Sequence, residues 1–164
     1  MTAGTGTAVA ALAAGALAQF LAEVVLPARL VPNLLVLALV YLYHHNGIRW
    51  RIDGAFWSGL FLGLMLRQPT GVYSLAALLA LALAGAVRGA LSRRSSLSTL
   101  FEVLLASLVF DLVVVLLLSR PVLVGLPAFL SPLLWRMVMT TVAYVGLSIF
   151  GGMAGLVARR AGGR

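Results

Sequence analysis

Neither cysteine nor lysine occurs in this chain, and acidic side chains are reduced to four: Glu23, Asp53, Glu102 and Asp111. Without thiols there is no disulfide framework and no thiolate metal site. The two histidines, His44 and His45, are adjacent, and on a helix they point about 100° apart, so a shared metal is not expected. There is no HExxH motif, no glycine-rich phosphate loop following a strand, and no plausible base to activate Ser58, Ser74, Ser107 or Ser148. Zinc chemistry, nucleotide hydrolysis and a serine triad are therefore not expected. The residues predict no enzyme and no cofactor.

What is present is apolar. Hydrophobic residues make up 62% of the 164 positions and charged ones 10%, with a mean hydropathy of +1.09, far outside the soluble globular range. These values predict an all-α polytopic membrane protein, a compact bundle of about six passes with no room for a separate soluble domain. The net charge of +8 comes from twelve arginines. They stand singly or in pairs at the ends of apolar runs, a spacing that reads as membrane topology and not as a nucleic-acid surface.

The passes fall near residues 7–28, 31–45, 52–66, 71–91, 99–119 and 133–158. The first begins like a signal peptide but lacks a basic start and continues through Phe20, Glu23 and Val25, so it is expected to stay. Its Ala10, Ala14, Ala18 and Ala22 form a small-residue stripe suited to close helix approach. The second and third runs are short for a span and must be buried among neighbours or sit where the bilayer thins. Residues 120–132 hold three of the six prolines and are expected to lie along the membrane surface or against a partner. Tyr41, Tyr43, Trp50 and the two histidines read as interfacial anchors.

The fifth run, Thr99 to Ser119, spans roughly 31 Å, one hydrocarbon core, yet carries both Glu102 and Asp111. Nine positions apart, these carboxylates point in opposite directions on a helix. A carboxylate in lipid costs several kcal/mol unless paired or protonated, so other passes must flank this one on two sides. With six passes and both termini cytoplasmic, eight arginines lie inside and four outside, as the positive-inside rule requires. That topology predicts ion pairs of Arg88 with Glu102 near the inner leaflet and of Asp111 with Arg136 in the outer half, with Glu23 competing for Arg136. A proton pathway would need a continuous polar chain across the bilayer, and these two groups are separated.

The run VPNLLVLALVYLYHHNG, Val31 to Gly47, followed by GAFWSGLFLGLMLRQPTGVYSL, Gly54 to Leu75, resembles the MreD family of bacterial rod shape-determining membrane proteins. The shared pattern is a proline-led apolar pass, a short loop, a glycine-containing pass, here GxxxxGLxxG, and a glycine opening the next helix; the C-terminal pass and basic tail are also similar. Two places differ from it: Asn33 stands where an acidic residue often follows the proline, and Gly63 to Arg67 lacks the acidic residue that often closes the glycine-containing pass.

The resemblance implies a non-enzymatic inner-membrane subunit of the cell-wall elongation machinery that binds the bitopic protein MreC. Through MreC it would connect to the wall glycosyltransferase and transpeptidase and to MreB. Pro32, Gly59, Gly63 and Leu126 are the positions expected to offer exposed small-residue and outer-leaflet surface to the partner. The six-pass architecture is also similar to the vitamin-binding components of energy-coupling-factor transporters. In that reading Ala10, Ala14 and Ala18 dock a coupling subunit, and Glu23, Asp111 and Arg136 line an outward-facing pocket.

Overall fold

The computed structural model describes residues 3–45, 48–90, 96–118 and 126–161. Among these it is all-helical, with α1 (Ala3–Val25), α2 (Leu34–His45), α3 (Ile48–Met65), α4 (Thr70–Ala90), α5 (Ser96–Leu118) and α6 (Leu126–Ala161), and a single 3-10 turn over Ala28–Leu30. Three segments, Gly71–Ala90, Leu97–Leu118 and Leu130–Phe150, are long and apolar enough to cross a membrane. The protein is a helical membrane protein.

The shortest helix is the middle of the bundle. At 12 residues α2 is about 18 Å long, too short to cross a hydrocarbon core alone. It packs against α1, α3, α4, α5 and α6, and Leu35, Val36, Leu37, Leu39 and Val40 are all buried. Around it the other helices form an open ring in the order α1, α3, α4, α5, α6.

Small residues set the spacing between neighbours in this ring. The inward face of α3 is Ala55, Ser58, Gly59, Leu62 and Gly63, and that of α4 is Tyr73, Ala76, Ala77, Ala80 and Ala84, both at helical spacing. A Cβ on Gly59 would lie 2.6 Å from the Ser74 Cα and from the Tyr73 carbonyl oxygen. Ser74 Oγ also donates to the Phe56 carbonyl at 2.9 Å, tying the same two helices together. Gly15 brings α1 equally close to α2, where an added Cβ would meet that of Ala38 at 2.7 Å.

Helix α3 stops sharply. Gln68 N–H donates to the Gly63 carbonyl at 3.0 Å and Arg67 N–H to the Leu64 carbonyl at 3.1 Å, the Schellman arrangement. Its left-handed position, usually glycine, is Arg67, with φ of 54°. Pro69 then blocks continuation.

Two expectations are corrected here. Gly59 and Gly63 are both buried and offer no exposed surface; at Gly59 the α4 backbone occupies the space that a side chain would need. Residues 126–132 belong to α6, with Pro132 inside the helix, and do not form a separate surface segment. Pro127 sits in the first turn, where a missing N–H has no helical partner to lose. Of the other partner positions, Pro32 is half-buried, and the Leu126 side chain lies outside the described ones.

Two substitutions test this packing by thermal melting in mild detergent. Gly59→Ala is expected to destabilise by about 1–3 kcal/mol, because the contacted atoms are backbone and cannot swing aside. Arg67→Gly is expected to stabilise by about 1 kcal/mol through relief of the left-handed conformation.

Candidate functional site

Gln19, Glu23, Asn33, Tyr73, Asp111, Arg136 and Thr140 gather at one place, where α1, the start of α2, α4, α5 and α6 meet. Arg136 on α6 is its centre. Its Nη2 donates to Glu23 Oε1 on α1, and its Nη1 lies 3.6 Å from Asp111 Oδ1 on α5. Glu23 and Asp111, expected to compete for this guanidinium, both lie beside it, Glu23 in direct contact and Asp111 at 3.6 Å. The bridge to Glu23 spans the gap between the two ends of the open ring.

Local sequence explains how each side chain arrives. On α1, Gln19 precedes Glu23 by one turn, so both project from the same face, and Gln19 Nε2 donates to Glu23 Oε1 at 3.0 Å. Gln19 Oε1 in turn accepts the Leu34 N–H at 2.7 Å, satisfying one orphan amide at the start of α2. Asn33, the residue immediately before α2, caps it: its Oδ1 accepts the Val36 N–H at 3.4 Å. The Asn33 Nδ2 donates to Asp111 Oδ1 at 3.2 Å, and its backbone N–H donates to Thr140 Oγ1 at 2.9 Å. Thr140 stands one turn after Arg136 and itself donates to the Arg136 carbonyl at 2.7 Å. Tyr73 of α4 completes the wall, within electrostatic reach of Glu23, Asp111 and Arg136, its ring centroid 6.1 Å from that of Phe110.

Gln19, Asn33, Ser107, Asp111 and Thr140 are all at most 1% exposed. Asp111 Oδ2, Ser107 Oγ and Arg136 Nε have no hydrogen-bond partner among the described residues. The cluster holds two carboxyl groups and one guanidinium, an arrangement suited to fixing helix register and to binding a small positive charge. It offers no activated nucleophile. Among the described residues no three His, Cys, Asp or Glu side chains gather as metal ligands, and the side chains of His44 and His45 lie outside them.

The second expected ion pair involves residues elsewhere in the bundle. Glu102 is buried on α5, nine residues or about 13.5 Å along the helix from Asp111, and Arg88 is half-buried near the end of α4. Each has a partner, and neither joins the Arg136 cluster. The sequence reading missed Gln19, Asn33, Tyr73 and Thr140 as members of that cluster. A signal was available: Gln19 and Thr140 each lie four residues from a charged member, and Asn33 follows a proline at a helix start.

No family model, curated protein or solved structure matches the chain.

Arg136→Ala is expected to destabilise the protein by about 2–4 kcal/mol, since it leaves the partly buried Glu23 without its counter-charge. Glu23→Gln in that background should recover part of the loss, read as the melting temperature in detergent. Asn33→Ala removes a helix cap and a donor to Asp111 together, and is expected to cost about 2 kcal/mol in the same measurement.

Proposed function

We propose that this chain is a non-catalytic scaffold subunit of the bacterial cytoplasmic membrane, MreD-like, that binds the single-pass protein MreC and takes part in cell-wall elongation. The observation that carries the reading is the pair of runs Val31 to Gly47 and Gly54 to Leu75, with their proline-led pass and GxxxxGLxxG helix. The geometry is consistent with it. The described ionisable groups of the outer cluster face one another inside the bundle, as expected of charges that hold helices in register. The reading sets both termini on the cytoplasmic side, the side that the arginine asymmetry favours.

A transmembrane partner needs free helix surface, and with Gly59 against α4 and Gly63 buried that surface must lie elsewhere. Helix α6 is the least enclosed of the three long passes: 11% of its span is buried, against 39% for α4 and for α5. Trp135, Val138, Val142 and Val145 are exposed along it, and a Cβ on Gly146 would meet nothing within 4 Å. A partner helix crossing α6 near Gly146 can come close to its backbone.

Tagged protein purified in mild detergent is expected to retain MreC, and Gly146→Trp to reduce the recovered MreC at least about tenfold, the loss from about 1.4 kcal/mol of binding energy, while the variant still inserts and melts like the parent. Retention of a coupling subunit, paired ATPases and a bound vitamin would replace this reading with that of a transporter component. Undiminished MreC recovery with Gly146→Trp would move the interface away from α6.

A further inference from the structure

The Arg136 cluster contains one more acid than base, and the surplus is not shared evenly. Glu23 accepts directly from both Arg136 and Gln19, and its side chain is 23% exposed. Asp111 is 1% exposed and stands 3.6 Å from the guanidinium, beyond hydrogen-bond distance. Its Oδ1 accepts only from the neutral amide of Asn33, and its Oδ2 has no partner. The backbone amides at the start of α2 do not make up the deficit, because Leu34 and Val36 donate to Gln19 and to Asn33. Among the described residues the charged or titratable groups facing Asp111 are Glu23 from α1, Tyr73 from α4 and Arg136 from α6. Together with Asp111 they sum to minus one when both carboxyl groups are ionised and Tyr73 is neutral. An uncompensated charge in so dry a place is costly.

We propose that Asp111 on α5 is a membrane-buried proton-binding site, held as a neutral carboxylic acid. Its carbonyl oxygen accepts from Asn33, and the proton sits on Oδ2, the oxygen that no donor among the described residues reaches. One proton taken up on that carboxylate lone pair forms the O–H bond and brings the cluster to zero net charge. Glu23 remains the ionised mate of Arg136. The site couples occupancy to ring closure: if Glu23 is lost, Asp111 becomes the only carboxyl group beside Arg136 and releases its proton.

Infrared spectroscopy of the full chain in detergent tests this directly. The parent is expected to show the carbonyl band of a protonated carboxylic acid, and the band should be absent from Asp111→Asn. It should also be absent from Glu23→Gln, where Asp111 has taken over the ion pair. Because asparagine reproduces the neutral acid, Asp111→Asn should melt within about 3 °C of the parent, whereas Glu23→Gln with Asp111→Asn should melt about 10 °C lower, having left Arg136 unpaired. An Asp111→Asn spectrum identical to the parent's, or a melting loss in that single variant as large as in the double one, would overturn the proposal. Stabilisation of the parent, but not of Asp111→Asn, by sodium chloride over potassium chloride at equal ionic strength would also overturn it, by assigning the site to sodium.

Discussion

One guanidinium closes this bundle. The ring of helices around α2 is continuous from α1 through α3, α4 and α5 to α6, and Arg136 binds its first member to its last through Glu23. The same side chain faces Asp111 on α5, and the turn of helix that carries it presents Thr140 to the start of α2. In a bilayer, where apolar helices gain little by choosing one another over lipid, such polar contacts and close backbone packing determine which helices meet and in what register. The apolar surface of α6 is no substitute, because lipid satisfies it equally well.

The central position of α2 follows from its length. A helix about 18 Å long leaves terminal backbone groups at membrane depth, and these must be satisfied by protein. Gln19 from α1, Thr140 from α6 and Asn33 at the head of α2 itself do so. The cluster is thus both a cap for the shortest helix and a set of ion pairs for the longest, and this double duty explains why it draws on so many elements. It also gives Asn33 a physical reason to stand after the proline: its amide donates to Asp111, whereas an ionised carboxylate there would repel it.

Most of the helices were legible in the chain, because runs of apolar residues broken by glycine, proline and arginine mark them. The shortness of the second run already required burial among neighbours or a thinned bilayer, and the carboxyl groups of the fifth already required partners on two sides. Less legible was the use made of small residues. The GxxxG spacing of Gly59 and Gly63 states that a helix can come close but not which one; a partner protein and the next helix of the same chain leave the same pattern. The start of α6 falls among residues expected to lie along the membrane surface or against a partner; Pro127 sits in its first turn, where a proline costs nothing, and Pro132 is held within the helix.

By itself the amino-acid sequence determined a helical membrane protein, the approximate extent of its helices, and the need for every buried charge to find company, since these follow from hydropathy and from the cost of desolvation. Only the tertiary structure decided that Glu23 contacts Arg136 directly while Asp111 stands 3.6 Å away. It alone decided that α3 turns Gly59 to α4, and that uncharged Gln19, Asn33 and Thr140 complete the cluster. Those choices depend on distances of a few ångströms between helices far apart in the chain, which periodicity along one helix does not encode.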